Sequence, residues 1–425
     1  MLGESATRNL VLFRHVYSLL FYLVLPAAIV RLLIRSRREP MYRFRLRERF
    51  GFCEPVTGPQ PVWVHAVSAG ETNAVAPLVN RLLARGLPVL VTNMTPTGRA
   101  RVQSLFGDRV SNAYAPYDVP GAVARFLARV RPHTLVIVDT ELWPNMIHAA
   151  GDQGIRILLV NGRLSERSAR RYGRIPALVG PMLAQIDVVA CQTVAQGKRY
   201  VALGLPENHL QVTGSIKFDI SLPGDLDDRV AAIRNKTGGR TLILAASTHQ
   251  GEEQLVVEAF LAHGRGDELL VLAPRHPHRA DEVARLCERA GLSLVRHAAG
   301  APVQADTRVL LLDTMGELIH FLAASKVAFI GGSLVPVGGH NPVEPAAVGV
   351  PFVMGPHLFN IDDIADDFVQ SGAMLVVRSA DELGLSIRRI LDEDALRESL
   401  VDNAARLLDA NRGVLDRVEK LVLNT

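Results

Sequence analysis

At 425 residues the chain exceeds one ordinary core and suits two domains of about 200 residues each. Hydrophobic content of 48% with 21% charged residues excludes a disordered chain, and three scattered cysteines (Cys53, Cys191, Cys287) exclude both a disulfide framework and a CxxC zinc site and fit a reducing compartment. A net charge of +4 raises nucleic acid as a partner, but the placement of that charge argues against it.

The first element is "VYSLLFYLVLPAAIV", residues 16–30, uncharged and apolar behind Arg14 and His15. It runs into eight arginines (Arg31, Arg35, Arg37, Arg38, Arg43, Arg45, Arg47, Arg49) against Glu39 and Glu48. An apolar run with a dense basic flank predicts a membrane-anchor helix over residues 1–34, its arginines held on the cytoplasmic side by anionic lipid headgroups. It is not a cleavable signal, because the charge follows the apolar run and no small-x-small site comes after it. The uncharged core is shorter than the ~20 residues of a full span. Extending it from Leu10 to Leu33 takes in Arg14, which can snorkel, so a single span and a helix lying in the interface both fit.

From residue 35 to 220, short runs rich in Val, Leu and Ile recur: "PVWVHAVS", "PVLVTNMT", "HTLVIVDT", "RILLVNGR", "VVACQT" and "LQVTGSIK". Helical period fills the intervals, as in Ala74 to Arg85 and Val119 to Val130. Apolar strands alternating with helices specify a parallel sheet covered on both faces. A polar, Gly-containing connection, "SLPGDLDDRVAAIRNKTGGR", marks a boundary near residues 220–240, and the alternation restarts with "TLILAAST", "LLVLAPR", "RVLLLDT", "VAFIGGS", "PFVMGPH" and "AMLVVRS". The fold class is therefore α/β, with two tandem Rossmann-like domains, residues 35–220 and 221–425, facing one another across a cleft; the last helix is free to return to the first domain. Neither first strand leads into G-x-G-x-x-G, which disfavours a dinucleotide reductase.

Ligands in open α/β sheets bind beyond the strand C-termini. In the first domain those positions are Ser68, Gly70 and Glu71, then Asn93 to Thr97, Asp139 to Asn145, and Asn161 to Arg163. In the second they are Ser247, Arg275, Met315 to Glu317 and "GGSLVPVGGHNPVEPAAVGVP", residues 331–351. The glycines of that last stretch let backbone amides approach a ligand, and "HNPVEPAA" opens a helix whose N-terminus favours phosphate, with Glu344 one turn in to accept from sugar hydroxyls. Each feature also has a plain reading. Gly338 and Gly339 fit a tight turn, Arg275 a solvated loop, and Glu71 and Glu344 acids answering a helix dipole. The joint position of Gly338, Gly339, Arg275 and Glu344 at strand ends of the second domain favours a nucleotide site.

"HAVSAGE", "TELWPN", "NGRLS", "GSIKFD", "APRHPHR" and "GGSLVPVGGHNPVEPAA", in this order behind a basic anchor, resemble the 3-deoxy-D-manno-octulosonic acid (Kdo) transferases of lipid A biosynthesis, GT-B glycosyltransferases of Gram-negative bacteria. The likeness covers nearly the whole chain and departs conservatively, as at Gly162, where alanine is common. It implies transfer of Kdo from CMP-Kdo to a lipid A precursor (lipid IVA), with inversion at the anomeric carbon, at the cytoplasmic face of the inner membrane. By this resemblance Glu71 is the catalytic base, and Glu141 and Lys217 stabilise the transition state. Lys217 has independent interest as one of only five lysines, against 42 arginines, since a point-charge ammonium suits a leaving phosphate.

The resemblance also assigns donor contacts to Pro274, Arg275, Met315, Gly316, Glu317, Asn341, Pro342, Val343 and Glu344. Ser68, Gly70, Ser247, Gly338, Gly339, His340 and Arg163 are further donor or acceptor contacts. Arg163, Arg167, Arg170, Arg171 and Arg174 suit the acceptor phosphates or form a solvated basic face. No D-x-D motif for Mg²⁺ stands out, "DTE" at 139–141 being the nearest, so neither metal nor cofactor is expected. The expected partners are CMP-Kdo, the lipid A precursor and anionic membrane lipids, with no nucleic acid. A UDP-sugar epimerase of the same shape and a non-catalytic lipid-binding scaffold are the competing readings.

Overall fold

The structure, a computed structural model, describes residues 4–37, 40–220 and 222–424; Arg38 and Glu39 of the basic run lie outside the described residues. The chain divides into two compact units: residues up to Ile216 together with those from Gly413, and Lys217–Arg412.

The first unit is built on a parallel sheet of seven strands: β1 (Val62–His65), β2 (Val89–Asn93), β3 (Ser111–Tyr114), β4 (Thr134–Val138), β5 (Arg156–Gly162), β6 (Val188–Cys191) and β7 (Leu210–Val212). Their spatial order is β3-β2-β1-β4-β5-β6-β7. Every residue of β1, β2 and β4 is buried, as a sheet covered on both faces requires. Two apolar clusters cover the faces, one around Trp63, Phe126, Ile137 and Leu159, the other around Val64, Leu78, Val91 and Val136. The second cluster is completed by Val414, Leu415, Val418 and Val422 from the terminal helix Val414–Leu423, which lies against helix α2 (Ala69–Ala84). Arg81 pairs there with Asp416 and Glu419, and Arg85 with Glu419.

The second unit repeats the plan with β8 (Thr241–Thr248), β9 (Glu268–Pro274), β10 (Leu294–Arg296), β11 (Val309–Leu311), β12 (Val327–Ile330), β13 (Phe352–Met354) and β14 (Leu375–Val376). Their order is β10-β11-β9-β8-β12-β13-β14, again all parallel. The expected α/β class with two Rossmann-like sheets therefore holds. Two strands escaped the sequence reading, β3 ("SNAY") and β10 ("LVR"), and they occupy the same edge position in their sheets. Both are short and only partly buried, so neither carries a long apolar run.

Ahead of the first sheet runs helix α1 (Glu4–Arg35), 32 residues with Pro26 inside; within Leu12–Arg35 an 18-residue stretch has a mean hydropathy of 2.1, and 11% of its residues are buried. The arginine run that follows is not uniform. Arg49 is 1% exposed, lies 4.1 Å over the Tyr114 ring and donates to the Met94 carbonyl at 2.9 Å. Arg45 pairs with Glu48 at 2.9 Å and Glu54 at 3.6 Å. The expectation that the whole run meets headgroups is corrected here. Arg49 belongs to the core, stacked on an aromatic face that compensates its burial, while Arg31, Arg35, Arg37, Arg43 and Arg47 are exposed.

Candidate functional site

In each sheet the chain builds outward to both sides of a central switch point, between β1 and β4 and between β8 and β12. The crevice beyond the strand C-termini at such a switch point is where open α/β folds bind ligands.

At the first switch point β1 ends in "HAVS" and α2 begins. Ser68 caps α2, accepting from the Glu71 amide at 3.3 Å, and its hydroxyl donates to Glu71 Oε1 at 2.7 Å. The Val67 amide donates to Oε2 at 2.7 Å. The arrangement resembles a capping box, with the Glu71 carboxylate reaching the amide of Val67, one residue before the cap. It does not leave Glu71 an ordinary surface acid. Burial pushes its carboxyl up to about 7 against the pull of Ser68 and Val67, and the charges of Glu141 and Asp139 push the same way. Glu141, just past β4, accepts from the Trp143 indole N–H at 2.8 Å, and burial raises its carboxyl too. Gly70 lies exposed inside the first turn of α2, where a Cβ would stand in ordinary contact with the Ser68 hydroxyl at 3.7 Å.

Three residues other than glycine adopt left-handed backbone at these strand ends: Asp139 (φ 58°), Asn161 (φ 58°) and Ser247 (φ 55°). Such conformations cost about 1–3 kcal/mol each and persist where the surroundings over-determine them. Asn161 and Ser247 also sit at register shifts, in β5–β6 and β8–β9, where bulges re-aim side chains. The Asn161 amide group donates to Asp139, while its Oδ1 accepts from the Ser215 hydroxyl and the Ile216 amide, each at 3.2 Å. The peptide just before Lys217 is thereby fixed. Arg163 is exposed, its backbone exchanging hydrogen bonds with the Thr140 hydroxyl.

At the second switch point His249, Arg275, His276 and His340 follow β8, β9, β9 and β12. His249 and His340 stack with ring centroids 5.1 Å apart and Nε2 atoms at 2.9 Å, and His276 meets His249 edge-on at 5.8 Å. Burial first, then His249, Arg275 and His276, lower His340 to about 4. Arg275 is exposed and its backbone amide donates to Thr248, opposite which Pro274 pairs.

The Gly-rich stretch departs from expectation. The Gly338 and Gly339 amides both donate to the Gly332 carbonyl, at 2.9 and 2.6 Å, so they close a tight turn instead of presenting donors to a phosphate. The glycines are required there by φ 115° and 79°, and a Cβ on Gly338 would come 2.2 Å from Asn360 Nδ2. "HNPVEPAA" forms only a five-residue helix, Val343–Ala347, with Pro342 before it and the Asn341 side chain accepting from the Val343 amide at 3.0 Å. Glu344 is its second residue, not one turn in, and burial raises its carboxyl. Beyond β11, Met315 is exposed and Gly316 has φ 86°. Glu317 accepts from Thr314 and pairs with His297 at 3.1 Å; burial works to raise its carboxyl, but these partners bring it below the usual range.

A family model described as 3-deoxy-D-manno-octulosonic-acid transferase matches residues 44–220. A 3-deoxy-D-manno-octulosonic acid transferase of Haemophilus influenzae is 37% identical over 97% of this chain and 98% of its own length. The chain belongs to the Kdo transferase family. A Bordetella pertussis Kdo transferase is 40% identical over 87% of this chain and 88% of its own. A solved Listeria monocytogenes protein, a putative UDP-N-acetylglucosamine 2-epimerase, superposes with TM-score 0.51 at 15% identity, over 86% of this chain and 96% of its own. That likeness is one of fold, the GT-B architecture. As a Kdo transferase the chain is a glycosyltransferase of lipopolysaccharide synthesis.

The second switch point contains a residue the sequence reading missed. Glu252 is fully buried and accepts from the amides of His249 (2.9 Å), Gly332 (2.7 Å), Ser333 (2.9 Å) and Leu334 (2.9 Å). It holds the loops after β8 and β12 in one arrangement. In sequence it looks like any first-turn helix acid. Among the described residues no three His, Cys, Asp or Glu side chains gather to hold a metal ion.

Proposed function

We propose that this Kdo transferase moves Kdo from CMP-Kdo to the glucosamine disaccharide of a lipid A precursor, lipid IVA, by a single inverting displacement with Glu71 as general base. The acceptor hydroxyl oxygen bonds to the anomeric carbon of Kdo as the bond from that carbon to the phosphate oxygen of CMP breaks. The hydroxyl proton passes to the Glu71 carboxylate and the bonding pair leaves on CMP. The observation that carries the reading is the Glu71 carboxyl, pushed up to about 7 at the β1–β4 switch point, because a base whose pKa lies near the working pH is efficient.

The first unit is the acceptor side and the second the donor side. Glu141 and Lys217 act on the transition state. Arg275 answers the charge that builds on the departing phosphate, with Pro274, Met315, Gly316, Glu317, Asn341, Pro342, Val343 and Glu344 shaping the nucleotide site. Gly338 and Gly339 contribute through the shape of their turn, beside His340 and Ser247. The protein works at the cytoplasmic face of the inner membrane, held there by α1 and its basic flank. Incubating purified protein with CMP-Kdo and lipid IVA should release CMP and add Kdo mass to the lipid, with inverted anomeric configuration by NMR. CMP release without a Kdo-bearing lipid, or a product of retained configuration, contradicts the reading.

A further inference from the structure

Among the described residues, helix α1 has one face on the protein and the opposite face exposed. Arg14, Tyr17, Ser18, Phe21 and Leu25 recur at helical spacing and turn toward the first unit, and Ser36 follows just past the helix end. The Tyr17 hydroxyl donates to Asp118 at 2.9 Å, the Ser18 hydroxyl to Asn145 Oδ1 at 3.1 Å, and Arg14 to the same oxygen at 3.3 Å. Leu25 is buried with Tyr117, Val119 and Ala122, and Phe21 packs beside it. At the far end Ser36 is buried and accepts from Arg43 at 2.6 Å. From Arg14 to Ser36 the docked stripe runs about 33 Å, at about 1.5 Å per residue. On the other side Leu19 is 60% and Leu23 68% exposed, with Val30 and Ile34 on the same stripe. Met41 and Phe44 extend the apolar surface beyond the helix, among the exposed Arg31, Arg37, Arg43 and Arg47.

From this geometry we infer that α1 does not cross the bilayer but lies in its plane, half-immersed, as a helix fused lengthwise to the first unit; the inference rests on the membrane reading proposed above. A spanning helix must leave its domain over about 30 Å of hydrocarbon. Here that would strip Asp118 and Asn145 of their α1 partners, uncover the Tyr117–Val119–Ala122 cluster and draw Arg14 into lipid. Docked, the helix offers the bilayer one apolar face bordered by arginines, the form of an interfacial anchor on an anionic leaflet. The docking loops also tell where the bilayer lies. Met94, Asp118 and Asn145 follow β2, β3 and β4, the same end of the sheet as Glu71 and Glu141. The immersed face therefore borders the acceptor edge of the first unit, and a lipid acceptor need only rise along it.

The test places single nitroxide-labelled cysteines at Leu19, Leu23, Val30 and Phe44 in the full chain, whose own cysteines are buried. The variants are bound to phosphatidylethanolamine–phosphatidylglycerol vesicles, and label depth is read from oxygen against nickel-chelate accessibility. Variants active on detergent-dispersed acceptor count as folded. The inference expects all four labels at one shallow depth, about 5–10 Å below the headgroups. A profile that passes through the midplane between Leu19 and Val30 overturns it and leaves membrane association standing. Protein that does not float with the vesicles, or labels that stay in water, overturns both.

Discussion

Ser68 and Glu71 are each other's partner twice: the Ser68 hydroxyl donates to Glu71 Oε1 at 2.7 Å and accepts from the Glu71 amide at 3.3 Å. The pair caps α2 and at the same time tunes the acid proposed to be the base. Ser68 pulls the Glu71 carboxyl down while burial pushes it up. Ser68→Ala should therefore cost the helix about 0.5–2 kcal/mol and move the acidic limb of the kcat/KM profile to higher pH. An unmoved limb with a lower Tm would leave the pair a cap only.

Glu71→Gln separates the two roles further. Activity needs the carboxylate, so in the parent kcat/KM should rise with pH and level off above about 7. In the variant turnover should fall by roughly 10²–10⁴-fold. Stability runs the other way. The folded carboxyl holds its proton more tightly than the unfolded one, so the parent gains stability as pH falls from about 7 toward its ordinary value and loses it on ionisation. The uncharged amide escapes that loss, and at pH 8 the variant should melt at or above the parent. A plain cap predicts a lower Tm at that pH.

Glu252 offers a different kind of test, because it is fully buried behind the loops it holds. Glu252→Ala strands up to four amides in a buried place, at about 1–3 kcal/mol for each donor that finds no water. The full chain should show a lower Tm and a higher KM for CMP-Kdo, while the lipid KM changes little. Glu252→Gln, keeping one acceptor oxygen, should fall between. Equal losses in both KM values would mean the carboxylate supports the unit in general and not the donor loops.

Arg275→Ala should weaken CMP-Kdo binding and CMP inhibition by about 1.5–3 kcal/mol, the worth of a charged hydrogen bond. Its side chain is exposed, so thermal stability should be unchanged. Intact donor affinity would remove Arg275 from the nucleotide site.

The strands with long apolar runs were legible because every residue of β1, β2, β4 and β9 is buried, and such burial leaves a composition that periodicity detects. The edge strands β3 and β10 carry no such run. Glu71 was legible as a strand-end acid, but its capping of α2 and its raised carboxyl depend on Val67, Ser68 and burial, none of which a spacing rule encodes. The glycines misled in a specific way. Gly338 and Gly339 are there for positive φ, and where their amides point is decided by the Gly332 carbonyl. Arg49 misled likewise, since an arginine in a basic run and an arginine stacked on a buried tyrosine read the same.

The helix Val414–Leu423 completes the core of the unit that the chain began. In connectivity the second unit is thus an insertion, and Lys217–Arg412 can be excised as one continuous piece while its host cannot. Synthesis imposes an order on assembly. A growing chain finishes the second unit before the first has received Val414, Val418 and Val422, so the half that carries Glu71 remains an open, unsealed core until Val414–Leu423 is made. A frameshift or a nick ahead of Val414 should accordingly damage the distant beginning of the protein rather than the sequence beside it.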